Sequence, residues 1–343
     1  MKDNELPRTL SGKHPGACPL RRQMLLVGLS FLAQAWGPAA GQSRFPARTV
    51  RIIVPFPAGQ AADTIARILA QRLSTMWGQQ VIVENRGGGL GIPAMLAAKN
   101  ATPDGYTLMM GTTGSLCVNP ALHRNIPYNV QTDFVPVSNV VIAPLIIIVH
   151  PSFPARTVQE LVAFAKTSPK PIQFASAGIG TSQHMTGELF AARTGIKLQH
   201  IPYKGSAPAI TDLMGGQVLL MVDSVVSALP HIKSGKVRAV AVASAERIPQ
   251  LPSVPTVAEA GYPGFEGNGW ASIVAPAGIP HDLVESISSA IQQALRDPQL
   301  RADFIARGGI PAPSTPKELA EFLRAETEKW TKLARDANIR LEE

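Results

Sequence analysis

Val54–Asp63, VPFPAGQAAD, follow the apolar run Arg51, Ile52, Ile53, Val54 and precede a helical stripe of Ile65, Ile68, Leu69, Leu73 and Met76. Residue types in this order suit a loop that holds an anion. Pro55 and Pro57 each fix φ at about −65° and stiffen the path, while Gly59 takes a positive φ at no steric cost. With Asp63 as an N-cap, the unpaired N–H donors of the first helical turn lie beside the loop, where a carboxylate or phosphate is well placed. The candidates here are Phe56, Pro57, Ala58, Gly59, Gln60, Ala62 and Asp63. An ordinary strand-to-helix turn with a capping Asp accounts for the same residues, so the reading needs support from elsewhere in the chain.

That support comes from a second loop of the same kind. Phe174 and Ala175 lead into Ser176, Ala177, Gly178, Ile179, Gly180, Thr181 and Ser182, after which Gln183–Ala192 reads as a helix. Gly178 and Gly180 let the backbone approach a ligand, and Ser176, Thr181 and Ser182 supply hydroxyls beside a helix N-terminus. Two such loops, one in each half, suggest a pincer. Thr112 and Thr113 after the strand-like Tyr106–Met110 offer further hydroxyls. Asp223 ends the apolar run Val218–Val222 and is either a helix N-cap or a polar group facing a cleft. Tyr203 and Lys204 follow the strand-like Leu198–Pro202, with Lys204 read as a solvated turn lysine or a partner for a carboxylate. His184, in the helix after the second loop, either lines the cleft or sits on the helix surface.

Signatures of catalysis fail. Gly89, Gly91 and Ala94 fit G-x-G-x-x-A, but Asn85–Gly88 separate them from the preceding strand, Pro93 interrupts the helix start, and no acidic residue stands at the ribose-binding distance. His150, His184, His200 and His231 lack ligand spacing, and G-x-S-x-G, Walker and H-E-x-x-H patterns are missing from the sequence. No catalytic residue, metal or cofactor is expected. The charges are dispersed, with no Lys/Arg stripe and few aromatic residues, which argues against nucleic acid as partner.

The elements that must position the loops alternate between strand-like runs (Val50–Val54, Gln80–Glu84, Tyr106–Met110, Leu145–Val149, Ile172–Ala175, Val218–Val222 and Val237–Val242) and amphipathic helix-like segments, an α/β pattern. Helix starts are marked by Thr157 with Glu160, Thr256 with Glu259, and Thr315 with Glu318, each at capping-box spacing. The last opens a helix carrying Leu319, Phe322, Leu323, Glu326, Trp330 and Leu333 along one side. Val137–Pro151 and Gly261–Pro280 look like domain crossings, as a chain that leaves a first lobe and returns to it requires. A tandem arrangement with a single linker is the alternative at this level.

Arg21 and Arg22 precede the apolar run Met24–Trp36 and the small residues Gly37–Gly41, which reads as a cleaved export signal over residues 1–41, its paired arginines resembling a twin-arginine signal. The run is shorter than the roughly 20 residues that span a bilayer. Its removal takes five Lys/Arg and two Asp/Glu, so the formal +8 of the 343-residue chain falls to +5. It also takes Cys18 and leaves Cys117 without a partner for an intramolecular disulfide. About 300 residues remain, enough for two domains of roughly 150 residues each.

With these loops in view, the chain resembles the periplasmic solute receptors of the tripartite tricarboxylate transporter family, also called Bug-type proteins. The resemblance rests on RIIVPFPAG…D (Arg51 to Asp63), VIVENR (Val81 to Arg86), PDGYTLMMGTTG (Pro103 to Gly114), FASAGIGTSQHMTGELF (Phe174 to Phe190), HIPYKGSAPAITDLMGGQV (His200 to Val218), SALPHIKSGKVRAVAVAS (Ser227 to Ser244), LPSVPTVAEAGYPGFE (Leu251 to Glu266) and VAPAGIP (Val274 to Pro280). It implies a type II periplasmic-binding-protein fold with two lobes, 43–143 plus 267–343 and 144–266, a hinge crossed twice and a closing cleft. It further implies a monomeric, non-catalytic receptor for a small organic carboxylate, working with the membrane components of such a transporter. In that family, backbone amides and ordered waters hold the ligand carboxylate between the loops that here are Phe56–Ala62 and Gly178–Ser182, and the strand-end Asp, here Asp223, contacts the far part of the ligand. This chain departs from the pattern at Gln60, where a glycine is usual, at Ala62, where Thr or Ser is usual, and over Arg86–Ile92. A receptor presenting its closed form to a sensor protein and an exported enzyme acting on a carboxylate are the competing readings.

Overall fold

The computed structural model describes residues 45–123, 125–336 and 339; residues 1–41, expected to be an export signal, and Cys18 among them lie outside the described residues. The chain opens with β1 (Val50–Val54), α1 (Ala61–Trp77), β2 (Val81–Asn85), α2 (Ile92–Lys99) and β3 (Thr107–Thr112). β1 pairs in parallel with both β2 and β3. The parallel pairing needs a crossover helix between strands, and α1 supplies it. Its apolar face buries Ile65, Leu69 and Leu73, and Gly78 ends it at φ +65°, donating its N–H to Ser74 O at 3.0 Å.

β4 (Phe134–Val149) is 16 residues long and joins two sheets. Phe134–Pro144 lies antiparallel to β9 (Asn268–Pro276), whereas Leu145–Val149 lies between β7 (Leu220–Ser224) and β8 (Arg238–Val242). Pro144 has no N–H to donate, and the ladder changes neighbours there. The first sheet runs β2-β1-β3-β9-β4, with the short β10 (Ile310–Pro311) against β4. The second runs β8-β4-β7, continued by β5 (Ile172–Ser176) and β6 (Leu198–Pro202), the last three parallel to one another. The helices of this half are α3 (Val158–Thr167), α4 (Ser182–Thr194), α5 (Ser206–Met214) and α6 (Val225–Lys233), and α7 (His281–Arg296), α8 (Pro298–Ala306) and α9 (Pro316–Asp336) follow β9. The fold is the type II periplasmic-binding-protein arrangement. The chain passes between sheets twice, and the two passages touch: Ala243 donates its N–H to Leu145 O at 2.7 Å and Gly267 donates to Ala243 O at 2.8 Å.

Period-2 alternation along the second part of β4 divides the core. Leu145, Ile147 and Val149 pack with Phe174, Phe190 and Phe265, while Ile146 and Ile148 pack with Leu213, Met221 and Leu229 on the other face. In the other half, Met95, Met109, Trp270, Leu323 and Trp330 share a core.

Two expectations about elements need correction. Thr256 and Glu259 do form the reciprocal bonds of a capping box, 2.8 and 2.9 Å, yet residues 256–260 make only a turn, because Thr256 is tied by a bridge to Val242 on β8. The Gly261–Pro280 crossing contains a central strand, β9, hidden by its flanking glycines and proline. The C-terminal capping box forms as expected, with Thr315 N–H on Glu318 at 2.8 Å and Glu318 N–H on Thr315 Oγ1 at 3.2 Å.

Glu326 of α9 is buried, and one oxygen of its carboxylate accepts both indole N–H groups, from Trp270 at 2.7 Å and Trp330 at 2.9 Å; the other accepts from Lys329 at 3.0 Å. Glu326→Leu strands two buried donors and is expected to cost about 2–4 kcal/mol. Chemical denaturation measures this directly, and a loss within about 0.5 kcal/mol of zero would show that the indoles find other partners.

Candidate ligand-binding site

The first loop is held open by its own helix. Gln60, not Asp63, occupies the N-cap position of α1, with φ −80° and ψ 160°, and its side chain makes no capping bond. Asp63 lies in the first turn and its carboxylate reaches back: Oδ2 accepts the Gly59 N–H at 2.9 Å, and Oδ1 accepts from Asn85 Nδ2 and Arg67 Nη2, both at 2.9 Å. Asn85 also donates to Phe56 O at 3.0 Å. Burial alone would raise the Asp63 carboxyl, but the bonds from Arg67, Gly59 and Asn85 outweigh it and hold the group below the usual carboxylate range. Gly59 sits at φ +85° with open space around its Cα. Glycine is needed there for backbone conformation and not for room.

In the second loop the glycine N–H groups are already spent. Gly178 donates to Ser176 Oγ at 3.1 Å and Gly180 to His184 Nδ1 at 3.3 Å. Thr181 caps α4, accepting the His184 N–H at 3.3 Å while donating to Gly178 O at 2.7 Å. Ser176 Oγ also shares a 2.6 Å hydrogen bond with His200 Nε2, and the His200 ring stacks on that of His184 with centroids 4.0 Å apart. Burial lowers His184 to about 4; burial, and then the neighbouring His184, lower His200 to about 3. Both rings are neutral at pH 7, as the bond from Gly180 to an unprotonated Nδ1 requires.

The two halves touch. A Cβ on Gly114 would lie 2.8 Å from Gly180 O, and one on Gly180 would lie 2.3 Å from Asn119 Oδ1. These glycines let backbone meet backbone across the cleft. Behind the contact is a cavity of about 40 Å³, lined by Phe56, Gln60, Ala61 and Ala62 from the first loop and helix, by Ser182, Gln183 and Ser224 from the second half, and by Thr112. Its floor is the paired crossing, Val141, Ala143 and Leu145 of β4 with Gly269–Ala271 of β9. No charged side chain lines it. In front lies a cleft of about 370 Å³ walled by Phe56, Pro57, Leu90, Gly178, Ile179, Gly180, Thr181, Tyr203 and Lys204.

Of the residues expected at the site, Phe56, Gln60, Ala62, Thr112 and Ser182 reach the inner cavity, and Pro57, Gly178, Gly180, Thr181 and Tyr203 wall the outer cleft. Ala58, Gly59, Asp63, Thr113, Ser176, His184 and Asp223 line neither. Thr113 accepts the Trp270 N–H at 3.1 Å, and the Tyr203 hydroxyl donates to Asp212 at 2.8 Å. Asp223 is fully buried and is no helix cap, since Ser224 caps α6 by accepting from Ser227 N–H at 3.2 Å. Its Oδ1 accepts from Ser206 Oγ at 2.7 Å, Ser224 N–H at 2.8 Å and Gln183 Nε2 at 3.5 Å. Gln183, Ser224 and the β9 segment around Trp270 were not expected at the site. The first two are the residues just inside or at a helix start, and that position was the signal available for them.

Two α/β halves joined by a doubly crossed strand pair, with one helix start from each half at a shared cavity, define a solute-binding protein of the type II class. The chain belongs to the tripartite tricarboxylate transporter family receptors: the family model TctC matches residues 65–339. Among its relatives is Protein BugT of Bordetella pertussis, 35% identical over 323 residues, 94% of this chain and 99% of that one. The solved structure of R. palustris Rpa4515 with adipate is 34% identical and superposes with a TM-score of 0.84, covering 86% of this chain and 99% of the other. MatC from Rhodopseudomonas palustris with bound malate is 31% identical, with a TM-score of 0.79 over 84% of this chain and 99% of the other. The chain is thus a substrate-binding protein of the Bug family.

The buried ionisable groups oppose one another in their effect on stability. Burial pushes the Asp223 carboxyl up to about 6, so between about pH 4 and 6 the folded state holds a proton that the unfolded chain has lost, and this contribution falls as pH rises. His184 and His200 act the other way: from about pH 6.5 down to about 4 the unfolded chain takes up protons that the buried rings refuse, so stability rises with pH through that window. Asp223→Asn removes part of the opposition to the histidines, Glu188, also raised by burial, remaining. Denaturant midpoints at pH 4, 5, 6 and 7 are expected to rise more steeply in this variant than in the wild type, and parallel profiles would refute the assignment.

Proposed function

We propose that the protein is a periplasmic receptor that captures a small organic carboxylate and passes it to the membrane components of a tripartite tricarboxylate-type transporter. The observation that carries this reading is the meeting of two helix starts, Ala61–Ala62 and Ser182–Gln183, at one cavity lined by no charged side chain. First-turn N–H groups have no intrahelical acceptor, and the N-cap Gln60 leaves those of α1 open. An ionised carboxylate supplies acceptors only, and fixed N–H dipoles in a water-poor pocket bind it through charge-assisted hydrogen bonds. Adipate on Rpa4515 and malate on MatC are ligands of the same chemical class.

The ligand is held without chemical change. Lobes 43–143 plus 267–343 and 144–266 open by bending at the two crossings, near Pro144 and near Gly267, and close on the anion as a monomer. The contact of Gly114 with Gly180 is then the closed gate. Export through the segment 1–41 places the receptor where such a transporter collects its cargo. No helix among the described residues is long and apolar enough to cross a membrane.

A thermal-shift screen of the purified protein against mono-, di- and tricarboxylates, acidic amino acids and aromatic acids tests the reading. Ligand at one hundred times its dissociation constant stabilises the folded state by about 2.7 kcal/mol, so a selective rise in melting temperature is expected, with the acid recovered unchanged. No rise with any carboxylate would overturn it. Gly59→Val forces a β-branched residue to the positive φ of the first loop; with the fold retained, affinity for the acid found is expected to drop about tenfold or more. An unaltered dissociation constant would remove the loop from the site.

A further inference from the structure

Gln60 is an uncommon residue at a helix N-cap, and here its amide does not cap. The side chain is 5% exposed and lines the inner cavity, and its Oε1 is buried with no hydrogen-bond partner. That oxygen reaches toward the opposite half, where a Cβ on Gly205 would lie 3.4 Å from it. Gly205 is the uncapped start of α5, and the next residue, Ser206, gives its hydroxyl to Asp223 Oδ1 at 2.7 Å. Gln183 and Ser224, both donating to Asp223 Oδ1, line the same cavity as Gln60.

One unpartnered acceptor, Gln60 Oε1, thus stands against the Gly205–Ser206 turn, on a residue that lines a cavity bordered by two helix starts and by Thr112, Ser182, Gln183 and Ser224. A buried acceptor recovers its lost hydration only from a donor, and an ionised carboxylate brings none. A simple dicarboxylate satisfies the helix starts and leaves the Gln60 oxygen stranded. An acid with a hydroxyl or ammonium group on the carbon beside the carboxylate supplies the missing donor. We propose that Gln60 is a specificity-determining residue that selects organic acids bearing such a donor over their unsubstituted analogues. The inference rests on the carboxylate-receptor reading and narrows its ligand class. A pocket built around buried polar groups discriminates strongly against the analogue that leaves them unpaired, because the penalty is then paid in full.

Isothermal titration of the purified protein with matched pairs, succinate with malate, glutarate with glutamate and adipate with 2-aminoadipate, tests this. The wild type is expected to bind the donor-bearing member of at least one pair about tenfold or more tightly than its partner. Gln60→Leu, which keeps the size and removes the acceptor, is expected to bring that ratio below about threefold. If Gln60→Leu does not fold, Gln60→Ala gives the same comparison. A wild type that favours the unsubstituted acids, or a ratio unchanged in the apolar variant, overturns this inference alone. Failure of all six acids to bind overturns the carboxylate reading and this inference with it.

Discussion

The first turn of a helix must find acceptors for N–H groups that its own carbonyls cannot reach, and the site is organised around two helices whose starts converge on one cavity. At α4 the Thr181 hydroxyl meets part of that demand; at α1 the N-cap Gln60 meets none of it. Asp63, the one acidic group in the first turn of α1, is turned backward to Gly59 and Asn85. Its charge therefore stiffens the loop and does not fill the place of an incoming anion. The arrangement is pre-organised: the donors are fixed by backbone geometry, so little rotational freedom is lost when they are used.

The crossing strands give the cavity its floor and the molecule its two-part form. β4 is shared by both sheets, and the change of partners at Pro144 puts Val141, Ala143 and Leu145 beneath the meeting point of the two helix starts. Trp270 on β9 closes the floor from the other side. It is held at both ends, its backbone N–H on Thr113 and its indole N–H on Glu326 of the C-terminal helix. A helix remote in sequence thereby fixes a wall of the pocket, which links the packing of α9 to the shape of the site.

Much of this was legible in the residues, and what was not shares one physical cause. The loops at Val54–Asp63 and Ser176–Ser182 were found because proline, glycine and hydroxyl residues between a strand and a helix have local meaning. Which atom satisfies which is a tertiary matter. Asp63 reads as a cap from its type and place, but Asn85, 22 residues on, and the Gly59 N–H draw its carboxylate away. Gly178 and Gly180 read as donors to a ligand, yet Ser176 and His184 take their N–H groups, and His200 from the next strand steadies Ser176. The full length of β4 escaped notice because an interior proline argues against a central strand, unless the ladder changes partners there. The Thr256 capping box shows the converse, a correct local signal with no helix behind it.

An uncharged pocket has a consequence for how tightly such a protein holds its cargo. A salt-bridging arginine would add a full charge facing the ligand but would cost several kcal/mol of desolvation whenever the cleft was shut without an anion. Helix starts, hydroxyls and amides carry partial charges only, and Ser182, Gln183 and Ser224 already bond within the protein, to Gln183, Asp223 and Ser227. On the carboxylate-receptor reading proposed above, the closed form lies within reach of the open one, and the anion's hydrogen bonds tip the balance instead of overwhelming it. For the receptor proposed here, which passes on what it binds, donors of this strength shift the equilibrium enough to capture and leave release attainable.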